Sequence, residues 1–312
     1  MSDSSSRSNE DTITLQDLVD GLRRILVHWP VLVLSVSIGL AVAFLYNRYT
    51  ANVYKVQATV AVEETENPLA ASIDGMLNLG LGFGGNGIVD TRIAILKSYA
   101  HNIRVARELN LGVALYNKGR LNKREIYKPS HFSIEFDREH NQLVGVEFSL
   151  SFDENDFELE LEQVDDHLSV YNYAAGEEVN STNFDLFAEG SSRHNYNTWI
   201  ENPLYRFKVV RGPNLEDFIR DRSYTSSSFE FVPYNEIVNW VIDNLETESN
   251  DKQQSSLLTM ELEGPLVLKL ADYLNTSIKE LQAYELREKN LMAINTIDFI
   301  DSQLIQIEHD LK

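Results

Sequence analysis

Cysteine is absent from all 312 residues, which removes disulfide frameworks and thiolate metal sites and leaves the redox compartment undefined. No G-x-x-x-x-G-K-[S/T] loop occurs either, so the chain carries no recognisable cradle for ATP phosphates. Basic side chains are scarce: 27 Lys and Arg stand against 48 Asp and Glu, for a net charge of −21. Residues 1–49 hold five acidic and four basic side chains, so the other 263 residues carry −20 of that charge. Such a surface repels phosphate backbones and anionic headgroups, which argues against nucleic acid as a partner of the folded part.

Charge of either sign is missing from one stretch. Ile25 to Asn47, ILVHWPVLVLSVSIGLAVAFLYN, has no Asp, Glu, Lys or Arg and lies between Arg24 and Arg48. About 20 apolar residues at ~1.5 Å rise reach roughly 30 Å, the thickness of a bilayer's hydrocarbon core, so this reads as a transmembrane helix. Trp29 and Tyr46 stand where interfacial aromatics belong, and Pro30 falls in the first turn of the apolar part, where a missing N–H costs least. A signal peptide would start earlier, be shorter and end in a small-residue cleavage site. A buried core helix stays open as the alternative, although this stretch lacks the polar face of a surface helix. Arg7, Arg23 and Arg24 before the span, against Arg48 and Lys55 after it, tilt the N-terminus only slightly toward the cytoplasm.

Around the span the chain changes texture several times. Residues 1–12 are polar and nearly free of apolar side chains, as in a disordered tail. Residues 13–24 read as an interfacial helix, opened by Thr14 and Asp17 in an imitation of a capping box. Tyr54–Val62 alternates with the period of a half-buried strand. A Gly-rich stretch, Gly75 to Gly87, leads to a helix with Asp90 as its cap, Ile95, Leu96, Tyr99, Ile103, Ala106 and Leu109 inward, and Gly112 as its stop. From about Phe132 to Val232 come short alternating runs, HFSIEF, LVGVEFSLSF, FELELEQV, HLSVYNY, LYRFKVV and SFEFV, with turns at Asp153–Asp156, Gly176–Asn183 and Gly212–Asn214. That pattern predicts a β-sandwich or jelly-roll-like insert. Tyr234–Glu246 returns to helical spacing, Leu257–Leu262 reads as a strand, and after Pro265 no Gly or Pro interrupts a helix running to Lys312.

The expected fold is therefore α+β: one transmembrane helix, an α/β domain from residues 50–115 and 234–312, a β-rich insert at 116–233, and a long C-terminal helix. Ala293, Ile297, Ile300, Leu304, Ile307 and Leu311 recur at intervals of 4, 3, 4, 3 and 4. Six positions fit a helix-packing seam and fit one face of an ordinary amphipathic helix equally well. The chain stops inside this helix with no stop signal, so we expect that the natural polypeptide continues or that the rest was removed.

Chemistry-bearing motifs are few. Gly82-Phe83-Gly84-Gly85-Asn86-Gly87 fits G-x-G-x-x-G with Glu108 downstream, but no convincing strand precedes it and the β-rich insert that follows does not suit a parallel β-α-β crossover. The acidic run Asp153, Glu154, Asp156, Glu158, Glu160, Glu162, Asp165 and Asp166 alternates with apolar residues around Phe157–Leu161, as the solvated face of a strand does. His131, His140, His167 and His194 lack metal-motif spacing, and Asn180-Ser181-Thr182 and Asn275-Thr276-Ser277 read as chance matches to a glycosylation acceptor. The sequence therefore assigns no catalytic residue, no metal and no cofactor.

Four passages together carry a family likeness: DLVDGLRRILVHWPVLV, entering the span; DTRIAILKSYAHNIRVARELNL, with Leu96, Lys97 and Ser98; QSSLLTMELEGPLVLKLADYLNTSIKEL, with Ala271 and Asn275; and INTIDFIDSQLIQIEHDLK, with Phe299, Ile300, Gln303 and Leu304. In this order they resemble the chain-length-determinant, or polysaccharide co-polymerase (Wzz-type), family, and within it the Wzc-like exopolysaccharide tyrosine kinases. Asp90 and Ile93 depart from the family's acidic lead-in, and Leu281 stands where Tyr is usual. The resemblance implies a bacterial inner-membrane protein with both termini cytoplasmic, residues 50–312 mainly periplasmic, and a homo-oligomeric ring. That ring would govern polymer length or export together with a polysaccharide polymerase or outer-membrane export proteins. Kinase members add a second span and a cytoplasmic ATP-binding domain, and neither occurs in residues 1–312. Two other readings stay open: the sensor and membrane part of an autophosphorylating tyrosine kinase, and a membrane-anchored carbohydrate-binding protein using the β-rich insert.

Overall fold

The computed structural model describes residues 29–50, 52–62, 87–119, 122–161, 168–181, 191–221, 224–250 and 256–310. The expected tail, the interfacial helix, residues 25–28 of the span, the glycine-rich stretch as far as Asn86, and Glu162, Asp165, Asp166, His167, Thr182 and Leu311 lie outside those residues. Two compact units result, one ending at Ala51 and the other starting at Asn52.

The first unit contains helix α1 (Trp29–Tyr49), 21 residues long and apolar enough to cross a bilayer. Pro30 sits in its first turn. At the other end Thr50 closes the helix by donating from its backbone N–H (2.9 Å) and its hydroxyl (2.7 Å) to Tyr46 O, and Arg48 in the last turn suits the negative end of the helix dipole.

In the second unit, β1 (Tyr54–Val62), β15 (Ser256–Gly264) and β14 (Glu246–Asn250) form an antiparallel sheet with β15 in the middle. Alternation decides its two faces. Leu258, Met260 and Leu262 are fully buried, while Lys55, Gln57 and Thr59 of β1 face solvent. Helix α6 (Val267–Asp310, 44 residues) and helix α5 (Tyr234–Asn244) pack on the apolar side, with α3 (Tyr99–Glu108) against both.

The helix expected after Asp90 is two helices. α2 (Gly87–Leu96) stops, Lys97 and Ser98 turn the chain, and α3 begins. Asp90 lies inside α2, so it is not the cap; Ser98 is, accepting from the His101 N–H at 3.3 Å. The turn rotates the inward face: Leu96, Ala106, Val105, His101 and Asn102 are buried, whereas Tyr99, expected inside, is 45% exposed. α3 also ends before Gly112, at a Leu109 C-cap followed by Asn110 with φ 54°.

The β-rich region is a sandwich. Its larger sheet has nine strands: β2 (Val113–Gly119), β3 (Lys123–Ile126), β5 (Asn141–Val144), β6 (Glu147–Phe152), β7 (Asp156–Leu161), β8 (Leu168–Asn172), β9 (Glu177–Ser181), β10 (Ser192–Asn195) and β13 (Tyr224–Phe231). The smaller has three, in the order β11 (Ile200–Asn202), β12 (Tyr205–Arg211) and β4 (Phe132–Phe136). Phe207 on β12 meets Phe148 and Phe229 of the larger sheet edge-on, at 5.4 and 5.0 Å between ring centres, which joins the two layers. A short helix, α4 (Leu215–Arg220), follows β12.

Two readings of this region change. LVGVEFSLSF is two strands, broken where Gly145 takes φ 73°. Gly176–Asn183, expected as a turn, contains β9, which pairs with β8. β1 and β2 lie in different sheets, so the helices between them form no β-α-β crossover.

Candidate functional site

Helix α6 has two halves of opposite character, and the change between them defines the candidate site. Up to Glu285 the helix is held on two sides. Leu270, Tyr273, Leu274 and Leu281 are buried. Toward α2 and α3, Arg92 donates to Glu285 Oε1 at 2.5 Å, Arg104 lies 3.4 Å from Glu280 Oε2, and Tyr273 donates to Asn102 Oδ1 at 2.5 Å. Toward the sandwich, Lys269 donates to Glu125 on β3 at 2.5 Å, and Tyr127 donates to Asp272 at 3.0 Å. The first half of α6 thus couples the helical layer to the β-rich layer.

Beyond Glu285 the cover ends. Of the six seam residues, Ala293, Ile297, Ile300, Leu304 and Ile307 are all exposed, the four large ones between 51% and 59%; Leu311 lies outside the described residues. Sequence reasoning missed Leu286. It is 60% exposed and seven residues before Ala293, so it extends the same stripe by one heptad. Phe299 and Ile305 add exposed apolar surface elsewhere around the helix. A stripe from Leu286 to Ile307 spans about 32 Å at helical rise.

Two Ser–His pairs have the spacing of a nucleophile and its base. His101 Nε2 lies 2.8 Å from Ser277 Oγ, and His131 Nε2 lies 2.9 Å from Ser227 Oγ. Both are sealed: His101, Ser277 and Ser227 are 0% exposed and His131 5%. No substrate reaches either hydroxyl, and each pair instead satisfies polar atoms inside the core. Burial pushes both imidazoles down to about 4, with Arg104 adding to the effect at His101. His131 is further held by stacking on Phe218 at 3.7 Å. Among the described residues no group of His, Asp and Glu could hold a metal ion. Glu158 and Glu160 alternate with buried Phe157 and Leu159 on β7, the surface role that their spacing predicts.

No family model matches the sequence. One curated protein is similar along nearly all of it: a tyrosine-protein kinase ptk from Acinetobacter johnsonii, 20% identical over 317 residues, covering 99% of this chain. The chain resembles a bacterial tyrosine kinase. It spans 40% of that relative's length. The similarity supports the kinase branch of the likeness carried by the motifs. In that likeness, the Leu96-Lys97-Ser98 match is the α2–α3 break itself, with Leu96 buried and Ser98 capping.

Proposed function

We propose that this chain is the membrane-anchored, extracytoplasmic scaffold of an exopolysaccharide export system, working as an oligomer that sets polymer length or export. The observation that carries this reading is α6: one helix is locked into both layers through Glu285 and then leaves an apolar stripe uncovered over several turns. Association of subunits along that stripe would bury it, and the locked half would pass subunit geometry to the sandwich. α1 supplies the anchor, in the inner membrane of a bacterium. Polysaccharide polymerases or outer-membrane export proteins are the partners that such a ring would organise.

A second reading is favoured by the similarity to a tyrosine-protein kinase over 99% of this chain but 40% of the relative. In it, residues 1–312 are the sensor and membrane part of an autophosphorylating kinase. The two readings differ in what assembly controls, and one experiment addresses both. The gene is deleted and complemented with wild type or with Ile297→Lys/Ile300→Lys. Surface polysaccharide is sized by electrophoresis, membrane oligomers are trapped by cross-linking, and phosphotyrosine is blotted. Altered polymer size without a phosphotyrosine change supports the scaffold. Loss of phosphotyrosine supports the sensor. Unchanged polysaccharide after deletion refutes both.

A further inference from the structure

A groove of about 310 Å³ opens where β4, the β2–β3 pair and the start of α6 meet. Leu115 and Ile126 contribute apolar wall, and Glu125, Lys269 and Arg211 contribute charge. Ser133 on β4 also lines it, and Ser133 is exposed on the outer face of the three-stranded sheet. Ser133 therefore links the groove to that face by register.

Register shows what lies along it. Two residues beyond Ser133, Glu135 pairs with Lys208 of β12 at 2.6 Å. Ile200 is buried opposite Phe207, so its neighbour Trp199 falls on the same outer side as Arg206 and Lys208. Both cations sit by the Trp199 ring, at 5.2 and 5.3 Å from its centre. Arg206 is also paired with Asp137 at 2.7 Å and with Glu201 at 3.4 Å. Trp199 still keeps 43% of its surface in solvent. From Ser133 to Trp199 the path crosses two strand spacings and one residue pair, about 12 Å.

We propose that this strip, from the groove to Trp199, binds a segment of a polysaccharide chain, with one sugar ring stacked on Trp199 and another seated in the groove. The inference rests on the reading of the chain as part of polysaccharide export, which supplies the ligand class. Charge complementarity selects the occupant. Glu125, Glu135, Asp137, Glu201, Glu216 and Asp272 face Lys128, Arg206, Lys208, Arg211 and Lys269, so the strip is nearly balanced in charge on a chain of net charge −21. Its donors and acceptors stand side by side in ion pairs, and a hydroxyl, which donates and accepts at once, bridges such a pair without breaking it. The part of the Trp199 indole that Arg206 and Lys208 leave in solvent suits the C–H face of a sugar, and a protein partner would need a broader buried anchor cluster. Because Lys269 belongs to α6 and Glu125 to β3, a ligand in the groove touches the joint between the sandwich and the assembly helix.

The test is affinity electrophoresis of the full chain in detergent through gels containing a soluble neutral β-glucan, a neutral α-mannan or alginate. At least one should retard the protein. Trp199→Ala should weaken that retardation about tenfold through loss of stacking, and Ser133→Tyr, on an exposed strand position at the groove mouth, should weaken it too. Trp240→Ala, an exposed indole on α5, should leave it unchanged. Retardation by none of the three polymers overturns the proposal, as does retardation that both strip variants leave intact. Trp199→Ala that changes oligomeric state without changing retardation overturns it and assigns the face to a protein contact. If deletion of the gene alters surface polysaccharide but no polymer retards the protein, this inference fails while the export reading stands. Retardation with a silent deletion gives the reverse.

Discussion

Tyr273 on α6 donates its phenol proton to Asn102 Oδ1 on α3 at 2.5 Å, with both side chains sealed from solvent. The other end of the same amide donates to Leu96 O and Ser98 O, each at 2.8 Å. One side chain therefore satisfies carbonyls at the α2–α3 break and receives the bond that fixes α6 against it. Burial pushes the Tyr273 phenol well above its usual range, so it stays a donor.

Asn102→Ala should be the more damaging change at this joint. It strands Leu96 O and the Tyr273 hydroxyl without partners and opens a buried void, for about 2–4 kcal/mol, whereas Tyr273→Phe removes one hydrogen bond for about 1–2 kcal/mol. Urea unfolding of the full chain in detergent compares them, and equal losses would remove Asn102 from its central place.

Acid should destabilise the fold through its two sealed histidines. Each is held at about 4 when folded and titrates near 6.5 when unfolded. Between those values the unfolded chain binds more protons, so the contribution is complete above about pH 6.5 and is lost as pH falls toward 4. Displacement of that size corresponds to about 3 kcal/mol per site. Urea midpoints should fall from pH 7.5 to 4.5, and His131→Gln should flatten the decline. A decline as steep in that variant as in wild type argues against the assignment to His131.

The α6 stripe gives an assembly prediction. Ile297→Lys with Ile300→Lys places two charges on an exposed face, so folding stability should change by less than about 1 kcal/mol while the proposed subunit association should weaken. Light scattering of the detergent-solubilised protein, alongside an unfolding curve, separates those effects. Retained oligomers would remove this face from the assembly.

Gly212→Ala should destabilise the protein by about 1–3 kcal/mol, because a Cβ there would run into the Ser130 carbonyl oxygen and the His131 backbone. The same segment holds the Gly212 N–H to His131 O at 2.9 Å, so the collision would part β4 from the end of β12. A thermal midpoint unchanged from wild type would contradict this close approach.

Period and punctuation made the local elements legible. Alternation marked β1 from Tyr54 to Val62 and the buried Phe157 and Leu159 of β7, because a half-buried strand must alternate. The charge-free run marked α1, because uncompensated charge is costly in hydrocarbon. Single-residue events were harder to read. Ser98 interrupts a stretch whose apolar spacing continues through it, so the pattern showed one helix where its cap makes two. β9, EEVNS, carries a single strongly apolar side chain and forms by backbone pairing with β8, which leaves a faint periodic trace.

By itself the sequence determined the candidate span, the sandwich texture, the long helix and its apolar stripe, since each follows from a pattern read within one segment. Only tertiary structure decided where that helix is gripped and where it is free, at Glu285. It also decided that His101 meets Ser277 and Tyr273 meets Asn102, and that Trp199, Lys208 and Glu135 share one face. The first two pairings join residues 176 and 171 positions apart. Such partners are selected by packing between layers, which no local period encodes.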